Sequence, residues 1–383
     1  MEKYLTQPLR SPRRCGEMLS ALDTRIFAVM RGPAGTLWTM GAVMVLGCVL
    51  QPRVGPGVGS KPSGPRPEAF ELAIPPWAID TAFPPVLPYD NPLTAAGVAL
   101  GERLFHEPLL SGDGSLSCAS CHHRAQAFSD ARNFPTAYGH PRNGMPLMNL
   151  VFHHFFFWDA RALSLELQAF EPVSAHLEMN AQWRAVAERL QQHPDYPALF
   201  HAAFGSDRVD SMGVAFALAQ YERTLLSFGS RFDRYFYGHD RTALSAAEIR
   251  GLDVFMTRGN CADCHMPPLF TDHRMSNIGL EEPAVDRGLG ERTGIAWHAG
   301  RFKTPSLRNV VATAPYMHDG RFATLEEVVA FYATGVHTHA TTLDPHMEPW
   351  VRGDVFLDAG QRADLVSFMH ALTDSSFLQV GWK

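Results

Sequence analysis

The pentad Cys-x-x-Cys-His occurs twice in this chain, as Cys118-Ala119-Ser120-Cys121-His122 and as Cys261-Ala262-Asp263-Cys264-His265. Two thiols with two residues between them, and an imidazole directly after, share one turn of backbone. Covalent attachment of haem c needs this set: two thiols for the vinyl groups and one imidazole for the iron. A zinc ribbon instead sets its two C-x-x-C pairs roughly 15–20 residues apart, without a histidine after each. A redox dithiol needs a single exposed pair. The chain is therefore expected to carry two covalently bound haem c groups. Cys118, Cys121 and His122 hold the first, and Cys261, Cys264 and His265 the second. His122 and His265 are the iron ligands.

Each pentad follows a helix-like stretch. Asn91 to His106 (NPLTAAGVALGERLFH) precedes the first, after a Gly/Ser loop, and Ser245 to Arg258 (SAAEIRGLDVFMTR) precedes the second. Ser245 and Glu248 form a capping box, and Ile249, Leu252, Val254, Phe255 and Met256 give that helix one broad apolar face. Met212 to Phe228 is a further helical candidate, and strand-like alternation is scarce. The repetition predicts a mainly α fold of two tandem cytochrome c-like haem domains with long loops, spanning 75–240 and 241–383. With 383 residues, 46% of them hydrophobic, the chain is large enough for two such cores. A net charge of -6 without a basic stripe speaks against nucleic acid as a partner. The two other cysteines, Cys15 and Cys48, do not make a disulfide framework.

No Asp or Glu occurs between Asp23 and Glu68. Within that interval Gly35 to Leu50 (GTLWTMGAVMVLGCVL) is mostly apolar and follows Arg31. It is short for a span of roughly 20 residues and suits the apolar core of a signal sequence. Val45-Leu46-Gly47-Cys48 resembles a lipoprotein processing site, with Cys48 as the lipidated residue; an uncleaved anchor is the other reading. Met30 is an alternative start to Met1. Residues 1–51 are thus read as a signal, lipoprotein or anchor segment and 52–74 as a Pro/Gly-rich tether. The body is expected in the periplasm, touching membrane only through the N-terminal lipid or anchor.

From about residue 75 onward the sequence resembles the bacterial dihaem cytochrome c peroxidases and their MauG relatives. The resemblance rests on Arg142-Asn143, on Phe157 to Asn180 (FWDARALSLELQAFEPVSAHLEMN), on Phe302 to Phe322 (FKTPSLRNVVATAPYMHDGRF), and on Arg362 to Asp374 as a closing helix. It implies that the first haem is the peroxide site and the second relays electrons. Trp158 matches the tryptophan between the haems, Glu178 the distal glutamate, and Gln168 the glutamine beside it. A carboxylate within reach of the open side of the iron moves the peroxide proton from inner to outer oxygen, and burial raises its pKa toward that task. Asn143, with Thr313 and Pro315 through their carbonyls, matches a calcium site, so one Ca2+ is expected as well.

Where the peroxidases carry a methionine as sixth ligand of the second haem, this chain has Tyr332, as in MauG and its methanobactin-cluster relative. Thr324 and Glu327 form a capping box that opens a helix through Thr334. Leu325, Val328, Val329 and Tyr332 share one face of it. Tyrosinate favours ferric and higher iron, whereas a thioether does the opposite. Met317 is read as packing. The shortened loop Tyr138-Gly139-His140-Pro141-Arg142-Asn143 leaves the first iron open or water-bound, with His140 as the alternative ligand. The aromatic run Phe152 to Phe157 is read as a wall near Trp158.

The leading expectation is a MauG-like enzyme that takes hydrogen peroxide at the first haem and oxidises a partner protein through the second. One alternative is a conventional peroxidase that removes peroxide with electrons from a reduced cytochrome or copper protein. Another is a dihaem electron carrier without peroxide chemistry.

Overall fold

The computed structural model describes residues 67–79, 84–130, 133–135 and 141–379. The expected segment 1–51 with Cys15, Met30 and Cys48, most of the tether, and His140 lie outside these residues. No described helix is long and apolar enough to cross a membrane.

The fold is mainly helical, and two crossed helix pairs organise it. Helix α1 (Ala95–Phe105) begins at Thr94, whose hydroxyl accepts from Gly97 N. It does not begin at Asn91, because that side chain donates to Glu166 Oε1 at 2.7 Å and accepts from Gln220 Nε2 at 2.8 Å. Two short helices follow, α2 (Leu165–Gln168) and α3 (Phe170–Ser174), and then α4 (Ser211–Arg223). The helix expected to run to Phe228 stops at Arg223 because Asn149 takes over the backbone beyond it. Asn149 N donates to Leu225 O, its Oδ1 accepts from Ser227 N, and its Nδ2 donates to Ser227 O. Helix α5 (Ala246–Met256) carries the expected Ser245–Glu248 capping box. Helix α6 (Leu325–Ala330) opens on the Thr324–Glu327 box and then widens into a π turn over Phe331–Gly335. Helix α7 (Ala359–Ala371) closes the pattern, starting at an Asp358–Gln361 box ahead of Arg362.

Helix α1 packs on α4, and α5 packs on α7. Both crossings need glycine at the closest approach. A Cβ on Gly101 would stand 1.9 Å from Ala217 O, and one on Gly251 would stand 1.9 Å from Asp364 O. Any side chain would push the helices apart. Leu104, Phe105, Val214 and Leu218 belong to one hydrophobic core, and Leu252, Phe255, Leu365 and Phe368 to a second.

Between the helices an internal repeat governs the loops. Left-handed backbone occurs at Asn149, Phe157 and Ala160, and again at Asn309, Met317 and Gly320, each pair 160 residues apart. The bridge Phe156–Ala162 is echoed by Tyr316–Phe322. The N-cap Ser164 of α2 is echoed by Thr324 of α6. Asn309 repeats the role of Asn149, since its N donates to Leu372 O and its Oδ1 accepts from Asp374 N. At the same offset, Trp158 corresponds to His318 and Asn143 to Lys303.

Two small antiparallel ladders join the repeats. Strand β1 (Asn133–Pro135) pairs with β2 (Pro141–Asn143), and β3 (Met275–Ser276) pairs with β4 (Phe302–Lys303). Each of β2 and β4 then reaches across to the other repeat. Asn143 N donates to His318 O at 2.7 Å, and Lys303 N donates to Trp158 O at 2.8 Å. Arg142 adds a buried clasp, with Nη1 2.8 Å from Asp159 and Nε 2.7 Å from Asp286. These crossed contacts set the wall on which the candidate site is built.

Candidate active site

Both pentads fold alike. Cys118–Ser120 and Cys261–Asp263 form single 3-10 turns, and the histidine N–H then bonds the first cysteine's carbonyl, His122 to Cys118 and His265 to Cys261, each at 2.9 Å. The four cysteines are free thiols. Burial pushes the Cys261 and Cys264 thiols up to about 12 and Cys118 higher still. His122 Nδ1 lies 2.7 Å from Phe128 O, and His265 Nδ1 lies 3.0 Å from Phe270 O. Donation to a backbone carbonyl fixes each ring and leaves Nε2 as the lone-pair nitrogen a metal needs. Burial lowers the pKa of both imidazoles, which favours that neutral form.

Each pentad opens into its own cavity. Cys121 and His122 line the first, together with Glu178, Gln168, Phe156 and Trp158. Cys261, Cys264 and His265 line the second, together with Tyr332, Met317 and, again, Trp158. The largely apolar second cavity, and the thiol and imidazole groups in the wall of each, suit a flat, apolar, iron-bearing macrocycle. Trp158 stands in the wall common to both cavities. It is 8% exposed, its Nε1 donates to Asn143 O at 2.8 Å, and its own carbonyl accepts from Lys303 N. The residue is therefore held at its indole N–H and at its backbone carbonyl.

Gln168 ends α2, and Glu178 sits in the turn after α3, where its N–H donates to Ala175 O at 3.0 Å. Its carboxyl is half-buried, and that burial raises its pKa. The charge of Arg161 opposes the rise and that of Glu171 adds to it. Arg161 is itself held by Asp159 at 3.0 Å and lies over the Phe157 ring at 3.5 Å. In the second repeat the position equivalent to Gln168 is the apolar Val328. A polar side chain at this point belongs to the first cavity alone.

Tyr332 lies in the π turn that follows α6. Such turns are frequent at functional sites. Leu325, Val328, Val329 and Tyr332 all face the second cavity. The Tyr332 carbonyl accepts from Trp350 Nε1 at 2.7 Å. Burial, aided by the nearby Cys264 and Cys261, pushes the phenol pKa well above its ordinary value. Met317 lines the same cavity from the left-handed loop position. Of the residues expected to hold calcium, Asn143, Thr313 and Pro315 all border the second cavity. The Asn143 amide nitrogen is in close contact with Pro315 O, while its buried Oδ1 has no partner.

Three side chains in these walls escaped the reading of the sequence. His318 stacks on Phe302 with ring centroids 3.6 Å apart. Lys303 lines both cavities, and His153 lines the first. The aromatic run Phe152 to Phe157 pointed at His153 without giving it a task. The signal for Lys303 was its offset from Asn143, which the spacing of the pentads does not reveal.

Comparison with known proteins agrees with this geometry. Residues 95–241 match the family profile of the di-haem cytochrome c peroxidases. The methylamine utilization protein MauG of Methylorubrum extorquens is 40% identical over 291 residues, covering 74% of this chain and 80% of that protein. A cytochrome-c peroxidase of Denitromonas iodatirespirans is 35% identical over 339 residues, covering 77% and 88%. Among solved structures, a MauG-like protein associated with microbial copper homeostasis superposes with a TM-score of 0.72 at 31% identity, covering 81% of this chain and 97% of that one. Paired pentads, the cavities behind them and these likenesses together make the chain a member of the di-haem cytochrome c peroxidase family that includes MauG, and an enzyme of the dihaem peroxidase type.

Proposed function

We propose that the protein is a MauG-like oxidoreductase that consumes hydrogen peroxide in the first cavity and draws electrons from a partner protein through the second. Two tandem haem domains carry it, one haem on Cys118, Cys121 and His122 and the other on Cys261, Cys264 and His265. Bound there, haem c supplies peroxide activation and storage of oxidising equivalents. Glu178 takes the proton from one peroxide oxygen and returns it to the other, and Gln168 positions the peroxide for that exchange. Trp158 is the aromatic path between the cavities. Tyr332 would hold the iron of the second haem together with His265, and a phenolate there would favour oxidised iron. Asn143, with the carbonyls of Thr313 and Pro315, holds calcium; the orphaned Oδ1 of Asn143, a residue in contact with Pro315 O through its amide nitrogen, suits a hard cation. The body acts in the periplasm, exported by the N-terminal segment.

The observation that carries this reading is the placement of Trp158 in the wall of both cavities, with Glu178 in one and Tyr332 in the other. A conventional peroxidase fed by a cytochrome or copper protein is the second reading, favoured by the likeness to the cytochrome-c peroxidase. Stopped-flow spectra of the diferric protein mixed with hydrogen peroxide separate the two. A long-lived oxidised state, formed without prior reduction, is the expected result. Reaction only after one haem has been reduced supports the conventional peroxidase. Inertness in both conditions leaves an electron carrier.

A further inference from the structure

The Lys303 ammonium group is buried in the wall between the cavities, the side chain being only 3% exposed. Among the described residues no carboxylate pairs with it. Its polar contact is His153 Nδ1, at 2.5 Å, and the rings of Phe155 and Phe156 lie 5.7 and 5.8 Å away. Donation by Lys303 makes His153 Nδ1 the acceptor, which places the imidazole hydrogen on Nε2. That Nε2 is buried and finds no partner. Among the described residues, an ammonium without a counter-charge and an imidazole N–H without an acceptor thus stand together at the first cavity. Burying an unpaired ammonium costs several kcal/mol, and here desolvation alone lowers the pKa of Lys303 to about 7. An anion in the first cavity would neutralise the ammonium and accept from the imidazole N–H as well.

The internal repeat says what kind of position this is. At its 160-residue offset, Lys303, His153 and Phe155 correspond to Asn143, Thr313 and Pro315, the three residues assigned to calcium above. One crossing between the repeats thus offers oxygens to a cation, and the other fills the matching place with a cation of its own. We propose that Lys303 and His153 form a carboxylate-binding pair that receives a propionate of the haem held by His122. Lys303 supplies the charge, His153 Nε2–H the second hydrogen bond, and the bond from Lys303 N to Trp158 O ties that anchor to the backbone of the bridging tryptophan. The inference rests on haem occupying the first cavity. It deepens the functional reading by naming what orients that haem against Trp158.

Redox-difference infrared spectra of the dihaem protein test it, with haem isotopically labelled in its carboxyl carbons by feeding labelled aminolevulinate. Label-sensitive bands come from propionates and from no free anion or protein carboxylate. Lys303→Met is expected to shift one such band toward the frequency of a solvated propionate, and Lys303→Arg to leave it near the parent position. His153→Phe keeps the ammonium, removes the second donor, and is expected to shift the same band less. Coincidence of the labelled bands in parent, Lys303→Met and His153→Phe, each carrying two haems, overturns the proposal. If Lys303→Met does not accumulate, His153→Phe decides: a shift supports the pair and coincidence overturns it. A parent without haem on Cys121 fails earlier, and that failure belongs to the cofactor reading, which takes this inference with it.

Discussion

Replacing Glu178 with glutamine is expected to slow the reaction of the protein with hydrogen peroxide by about 10²–10⁴, the usual contribution of a positioned acid–base group. Glutamine keeps the shape and a hydrogen bond to peroxide and loses only the exchangeable proton. Stopped-flow mixing of peroxide with parent and variant gives the number directly. The pH dependence adds a second signature. Burial raises the Glu178 pKa, so its basic form is present above that raised value and is lost as pH falls through it. The parent rate should therefore decline on acidification at a higher pH than an ordinary carboxyl would allow, and the Glu178→Gln rate should be flat there. Equal rates in the two proteins would return Glu178 to the status of a half-buried loop residue.

Tyr332→Met has the other large expected effect. A thioether stabilises ferrous iron and a phenolate stabilises ferric iron. The reduction potential of the second haem should rise by at least about 59 mV, a tenfold change for a one-electron couple. The peroxide-oxidised state of the diferric protein should be lost with it. Tyr332→Phe separates the oxygen from the ring, since packing against Trp350 is preserved. Spectroelectrochemical titration of the three proteins provides the check. Unchanged potentials in both variants would mean that Tyr332 is packing and would bring Met317, in the same cavity, forward as the ligand.

What the sequence disclosed depended on how local the signal was. The pentads, the caps at Ser245 and Thr324 and the helices before each pentad are written in short windows, and the structure forms them, with the first helix capped at Thr94 and not at Asn91. The π turn at Phe331–Gly335 was not legible, because helical periodicity assigns the same face to Tyr332 with or without it. The end of α4 was misplaced because Asn149, far away in the chain, supplies the bonds that stop it. Glu178, Gln168 and Trp158 came from resemblance and not from composition, which would have left them as a loop acid, a helix end and a core aromatic. The least visible feature was the second repeat. Asn149 and Asn309 keep the same side chain, but Phe157 and Met317, and Trp158 and His318, share place while sharing little side-chain chemistry. Backbone strain and crossed strand contacts preserve such a repeat after the residues have diverged, and single-window reading does not detect them. Lys303 and His153 went unassigned for that reason.

All of this assumes that both cavities hold a covalently attached haem. The most direct measurement is the intact mass of the purified protein, made in a host able to mature c-type cytochromes, together with that of the Cys118→Ser/Cys121→Ser variant. The account predicts a mass two haems above the processed polypeptide for the parent and one haem above it for the variant. A parent polypeptide with no haem increment, or with one, would contradict it.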